Sequence, residues 1–335
     1  MKIILAPMEG IIDNYMRTIL TNIGGFNACV TEFIRVTDQL LPNKVFYRMC
    51  PELKQGGHTP SGTPVIVQLL GSDPDIMAEN ARLATNLGAP GIDLNFGCPA
   101  KCVNKKNGGA VLLKEPDTIF NIVNTVRKTV NDSIPVSAKI RLGYENTELA
   151  IDNALAVQEA GADFITVHAR TKVDGYKAPA RWEWLAKIVD SVNIPVIANG
   201  DINSVEDLNR CIEISNCENI MIGRGAVARP DLGRQLSHHL MNQTIEPLSW
   251  PQVITLVINF SQKMRTTVCE KKTIARIKQW LGMLRLQYHQ AITCFNEIRR
   301  ITNYTDVQTC LLIHKSSFSA NLSHDVFCRK PGLLV

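Results

Sequence analysis

The stretch Gly91-Ile92-Asp93-Leu94-Asn95-Phe96-Gly97-Cys98-Pro99 decides how the rest of the chain is read. A short apolar run bounded by Gly97 and Pro99 is a buried strand that stops abruptly. Cys98 lies between the two breakers, where strand gives way to loop. Open α/β sheets and barrels keep their ligands at such strand ends. Lys101, Lys105, Lys106 and Gly108-Gly109 follow, a loop with the charge and freedom to close over an anion. Most free cysteines are buried small hydrophobes. The flanking glycine and proline weigh equally toward a reactive thiol.

Seven further segments share this texture, so that apolar, β-branched stretches cover 3–9, 28–35, 64–71, 91–97, 135–143, 164–170, 195–201 and 219–225. Segments of helical period lie between many of them, at 73–87, 117–130, 149–160 and 205–214. Near-continuous apolar strands alternating with helices imply parallel strands buried on both sides. Eight such units predict an α/β fold, a (β/α)8 TIM barrel, over residues 1–240. Residues 39–60, with Pro42, Pro51, Gly56-Gly57 and Pro60, read as a loop inserted on the catalytic face. Arg229-Pro230-Asp231-Leu232 starts the last barrel helix, and Pro247 to Pro251 mark a junction. Residues 241–310 form an all-helical C-terminal domain, in which Ile274, Ile277, Leu281, Leu284 and Tyr288 make an inward stripe. Lys271, Lys278 and Arg285 flank that stripe as a basic row, while Arg276 lies on another face. Residues 311–335 show no clear period and read as a loosely ordered tail without assigned role.

Composition narrows the class. Of 335 residues, 45% are hydrophobic, enough for a sizeable core. Residues 1–7 are interrupted too early for a secretion signal, and no apolar run approaches the roughly 18 residues of a membrane span. Ten cysteines without Cys-x-x-Cys pairs predict reduced thiols, a cytoplasmic location and no metal site. The net charge of +5 is uneven: residues 241–335 carry 12 Lys/Arg against 5 Asp/Glu. A basic helical segment on a near-neutral body suggests a polyanionic partner, or simply a solvated basic face.

Polar residues stand at the ends of all eight strands: Pro7-Met8-Glu9, Glu32 and Arg35, Gln68, Asn95 and Cys98, Lys139 and Arg141, His168 and Arg170, Asn199-Gly200-Asp201, and Gly223-Arg224-Gly225. Each alone is weak, since a lone Lys139 is ordinarily solvated and a lone His168 an ordinary core residue. A barrel gathers all of them around one mouth. Glycines at the ends of strands 7 and 8 let backbone N–H groups approach a phosphate, with Arg224 adding a charged contact, although Gly223-Arg224-Gly225 also reads as a plain turn. Lys139 stands where negative charge on a bound ring needs a counterion.

Ala6-Pro7-Met8-Glu9-Gly10, Asp93-Leu94-Asn95-Phe96-Gly97-Cys98-Pro99 with Lys101, Ile197-Ala198-Asn199-Gly200-Asp201 and Ile222-Gly223-Arg224-Gly225 resemble the tRNA-dihydrouridine synthases. Thr31-Glu32-Phe33-Ile34-Arg35, Asp38-Gln39-Leu40-Leu41-Pro42 and Ala275-Arg276-Ile277-Lys278-Gln279-Trp280 are similar to the bacterial C-type subfamily. The likeness covers residues 1 to about 310. It implies an FMN-dependent oxidoreductase that reduces the C5–C6 double bond of a D-loop uridine in tRNA, at position 16, with NADPH or NADH as transient reductant. Flavin contacts then fall on Pro7, Met8, Glu9, Gln68, Lys139, His168, Asn199, Gly200, Asp201, Gly223 and Arg224. Asn95, Arg141 and Tyr176 face the uridine, and Arg35, Arg276, Lys278 and Arg299 orient the tRNA. Cys98 is the general acid, and the protein a monomer. Two competing readings are an FMN-dependent pyrimidine dehydrogenase acting on a small molecule and a non-catalytic RNA-binding barrel. The basic helices speak against the first and the intact polar set against the second.

Overall fold

The computed structural model describes residues 1–319. Its nine strand segments are β1 (Ile3–Leu5), β2 (Ala28–Val30), β3 (Ile34–Arg35), β4 (Val65–Leu70), β5 (Ile92–Asn95), β6 (Val136–Arg141), β7 (Phe164–His168), β8 (Val196–Asn199) and β9 (Asn219–Ile222). All pair in parallel, in the order β2-β1-β9-β8-β7-β6-β5-β4-β3. β2 also pairs with β4, which closes the sheet. β2 and β3 are therefore two halves of one stave, interrupted at Thr31-Glu32-Phe33, and the barrel has the eight staves that the sequence predicts.

Around the staves run α1 (Asn14–Ile23), α2 (Asn43–Met49), α3 (Pro74–Asn86), α4 (Lys101–Asn104), α5 (Pro116–Thr129), α6 (Ala150–Glu159), α7 (Trp182–Ser191), α8 (Val205–Ser215), α9 (Arg224–Ala228) and α10 (Leu232–Leu240). Their starts follow local chemistry. Asp13, Asp73 and Ser204 each accept a first-turn N–H with the side chain, and Pro74 opens α3 where no amide hydrogen is needed. Strand residues alternate in and out. Ile3 and Leu5 pack against the helices, whereas Ile4, Ala6, Val30, Ile66, Ile197 and Met221 form an apolar floor inside the barrel. Above that floor the inward positions turn polar, and the site is built there.

Beyond the barrel lie α11 (Trp250–Arg265), α12 (Glu270–Leu284), α13 (His289–Ile298) and α14 (Tyr304–Ser319). A capping box at Ser249 and Gln252 starts α11. The stripe Ile274, Ile277, Leu281, Leu284 and Tyr288 is buried, as its spacing predicts. Trp280 is fully buried edge-on to Phe260 and donates its indole N–H to the Val227 carbonyl at 3.1 Å, which locks α12 onto the barrel.

Three expectations are corrected. Residues 39–60 are not a loop on the catalytic face: they contain α2 and a 3-10 turn at Pro51–Gln55, and none of them lines the cavity described below. They form the helical connection between the second stave and β4, pinned by Glu52, which pairs in a fork with the Nε and Nη2 of buried Arg17 at 2.9 Å each. Sequence spacing does not reveal α2 because it is only seven residues long, too short to show a helical period, and lies between Pro42 and Pro51. The lysine-rich loop after Cys98 is likewise not free, because α4 occupies it and the Asn104 amide donates to the carbonyls of Cys98 and Ala100. Residues 311–319 continue α14 as helix, while the remainder of the predicted tail, 320–335, lies outside the described residues.

Candidate active site

The strand ends enclose a cavity of about 530 Å³ at the C-terminal mouth of the barrel, within the range of small-molecule sites. Register sets who meets whom. Gln68 lies beside Asp93, Asn95 beside Lys139, Arg141 beside His168, and His168 beside Asn199. Inward positions of neighbouring parallel strands therefore stack into one polar layer.

Cys98 lines this cavity and is 8% exposed. A hydrogen-bond chain fixes its loop from below. Ser137 donates to Asp93 at 2.7 Å, Gln68 donates to Asp93 at 2.6 Å, and Asn95 donates to Gln68 at 2.8 Å. The Asn95 carbonyl oxygen then accepts the backbone N–H groups of both Gly97 and Cys98 at 2.9 Å. Every donor and acceptor in that chain is assigned by its neighbour, so the turn carrying the thiol has one arrangement. Gly109 completes it with φ +68°, where a Cβ would stand 2.9 Å from the Cys98 carbonyl oxygen. Burial pushes the Cys98 thiol up from its ordinary value, with Glu9 adding to the rise, so the sulfur carries its proton at neutral pH.

On the neighbouring strands stand the cations. The Lys139 ammonium donates to the Asn199 carbonyl oxygen at 3.0 Å, and Asn199 is oriented by its own donation to Met221 O at 2.8 Å. Burial, followed by the nearby Arg141, lowers Lys139 to about 8. His168 is held neutral, well below its usual range, by burial and by the charges of Arg141, Lys139, Arg170 and Arg224. Its Nε2 lies 3.2 Å from an Arg170 nitrogen and accepts from it, which leaves the proton on Nδ1. The surroundings of His168 thus offer a concentration of positive charge that is not fully neutralised by carboxylates.

All eleven residues expected to contact a flavin line the cavity: Pro7, Met8, Glu9, Gln68, Lys139, His168, Asn199, Gly200, Asp201, Gly223 and Arg224. Asp201 has φ +56°, and its Oδ2 accepts from buried Arg170 and from the Ala180 N–H, while Arg224 lies 3.7 Å from its other oxygen. It acts as an anchor for cations rather than as a free acceptor. Asn95, Arg141 and Tyr176 also line the cavity, but the first two are struts. Arg141 is 2% exposed and donates to the carbonyls of Gly97, Thr171 and Gly175. Tyr176 is 55% exposed at the rim, its ring 5.4 Å from the Arg141 guanidinium and 5.2 Å from that of Arg224.

The expected tRNA contacts divide. Arg276 is committed to the protein: its guanidinium pairs with Asp13 at 2.9 Å and donates to the carbonyls of Gly10 and Ile11. Lys278 donates to the Ile301 carbonyl at 2.7 Å. Arg35 is half-buried and donates to Cys102 O at 3.3 Å, outside the cavity lining, whereas Arg299 is exposed. The sequence could not separate these roles, because a buried strut and a phosphate ligand look alike as residue types. It also passed over Asp93 and Ser137 as site-forming residues, although Asp93 alternates with the outward Ile92 and Leu94 and so had to point inward.

Residues 4–313 match the family described as Dihydrouridine synthase (Dus). The "tRNA-dihydrouridine(16) synthase" of Pseudomonas putida is 51% identical over 300 residues, covering 90% of this chain and 93% of that protein. The proteins of the same description from Shewanella oneidensis and Neisseria meningitidis serogroup B are 51% and 47% identical, covering 89% and 92% of this chain and 93% of each relative. Among solved structures, a 2-naphthoyl-CoA reductase shares the fold, with a TM-score of 0.53 at 13% identity over 71% of this chain and 50% of the reductase. With a family match across nearly all the described residues and relatives about half identical end to end, the chain belongs to the dihydrouridine synthase family.

Proposed function

We propose that the chain is a tRNA-dihydrouridine synthase that reduces the C5–C6 double bond of uridine 16 in the D-loop. The observation that carries this reading is the protonated Cys98 thiol facing the same cavity as Lys139, Asn199 and Arg224. The relatives named above, each matched over 93% of its length, support the substrate and its position.

The cavity fits a flavin mononucleotide. Its volume suits a ligand of that size, and a Cβ at Gly223 would crowd Met8 and Ala6 at 3.3 and 3.4 Å, so the glycine keeps the lining open. Arg224 would hold the phosphate, and Lys139 and Asn199 would offer donors to the polar edge of the ring. A flavin held there would supply the hydride that uridine C6 receives, with NADPH or NADH as its reductant. Cys98 gives its proton to C5, and the positive field of Lys139, Arg141 and Arg170 stabilises the negative charge that builds up on the uracil ring. Tyr176, at the rim, offers a face on which an extruded base can stack. Extrusion costs a few kcal/mol, which contacts to the tRNA backbone offset.

Residues 1–240 form the catalytic domain in this reading and 241–310 the tRNA-binding domain, with Arg299 in contact with the nucleic acid. The protein works as a monomer in the cytoplasm. Mapping dihydrouridine in tRNA from cells lacking this protein tests the proposal. Loss confined to position 16, restored by the wild-type chain, is expected; unaltered dihydrouridine at that position overturns it.

A further inference from the structure

The last two helices gather side chains that the barrel's chemistry does not use. Cys294 and Glu297 are three residues apart on α13, and Cys310 and His314 are four apart on α14. Both spacings put a pair on one helix face, and the two helices pack against each other. The Cys310 thiol donates to Glu297 Oε2 at 3.3 Å, and His314 Nε2 lies 2.8 Å from the same oxygen. One ligand atom from each of these three residues lies within 4.8 Å of the other two. Cys294 is buried beside them, its thiol within hydrogen-bonding reach of Cys310. His314 is 7% exposed, and its Nδ1 has no hydrogen-bond partner among the described residues.

We propose that Cys294, Glu297, Cys310 and His314 form a binding site for zinc that staples α14 to α13. A histidine–glutamate pair alone would require neither thiol, and the thiol and imidazole that converge on one carboxylate oxygen are both groups that ligate zinc. Tetrahedral zinc, with bonds of about 2.0–2.3 Å, holds its ligand atoms roughly 3.3–3.8 Å apart; those of Glu297, Cys310 and His314 lie within 4.8 Å of one another, and Cys294, outside that group, has to turn its thiol toward them to complete the tetrahedron. Two sulfurs, an imidazole and one carboxylate select zinc over magnesium or calcium, which take oxygen. With four protein ligands the site is closed to substrate and structural in kind. The residue order Cys-x2-Glu-x12-Cys-x3-His has the spacing of two-plus-two zinc sites. The expectation of no metal site rests on the absence of Cys-x-x-Cys pairs, a pattern that Cys294 and Glu297 do not display.

Binding replaces both thiol protons, which pass to solvent as each sulfur forms its bond to zinc, and the neutral imidazole coordinates through Nε2 with its proton on Nδ1. Affinity therefore falls as pH drops. The test uses the full-length reduced protein, stripped with a chelator and titrated with zinc chloride by calorimetry, with the melting temperature followed in parallel. One equivalent bound and a raised melting temperature are expected. Cys310→Ser and His314→Ala should each weaken binding by about 100-fold and abolish the thermal shift. Both variants should keep the flavin bound to the barrel, which shows that they are folded. Three results overturn the site: no zinc taken up by the wild type, uptake unchanged by both variants, or a Cys294–Cys310 disulfide that forms in the presence of zinc.

Discussion

At the scale of single residues, the site works by contrast between a buried neutral acid and partly neutralised bases. Cys98 keeps its proton because its surroundings penalise thiolate. Cys98→Ala should retain the yellow cofactor and the fold yet lower single-turnover reduction by at least about 100-fold, measured as dihydrouridine formed per enzyme. Lys139 shows the opposite effect. Its ordinary value is 10.5 and the fold holds it at about 8. Between those values the unfolded chain carries a proton that the folded chain has released, so stability rises with pH across that window. Lys139→Met should therefore melt higher than the wild type at pH 7. That advantage should shrink from about pH 8 upward and vanish near pH 10.5, as thermal denaturation across pH would measure. A constant difference at every pH would remove the charge of Lys139 as its cause.

At the scale of elements, two arginines that look like surface cations in the sequence hold segments together. Arg17 joins α1 to the turn after α2 through a fork on Glu52, both side chains being buried. Removing one partner strands the other charge, so Glu52→Gln should cost about 3–5 kcal/mol of unfolding free energy in denaturant titrations. Arg276 ties α12 to the segment between β1 and α1 through Asp13, Gly10 and Ile11, next to the cavity-lining Met8 and Glu9. Arg276→Ala should lower stability by about 1–3 kcal/mol and leave the salt dependence of tRNA affinity unchanged. A flattened salt slope at undiminished stability would return Arg276 to the nucleic acid.

At the scale of the whole molecule, a helical appendage is packed against the barrel. The appendage is fixed to the barrel through Trp280 and Arg276, so any exposed cations on it hold a set position relative to Cys98. Arg299 and Arg300, at the end of α13, are exposed. Reversing both to glutamate should weaken tRNA binding and reduce the slope of log affinity against log salt by about 1–2, without affecting the melting temperature. Among the described residues no helix is long and apolar enough to cross a membrane.

Hydrophobic alternation by itself determined the eight staves, most of the helices between them and the gathering of strand-end residues at one mouth, because these follow from local periodicity and parallel pairing. The stripe on α12 was legible for the same reason. Which cations are free, which are struts and how Cys98 is held were decided only by tertiary contacts. Arg276 and Arg299 are the same residue type on neighbouring helices, yet one meets Asp13 and carbonyls while the other meets solvent. The chain Ser137–Asp93–Gln68–Asn95 links four residues from three strands, and no spacing along one chain encodes such a network before the sheet closes.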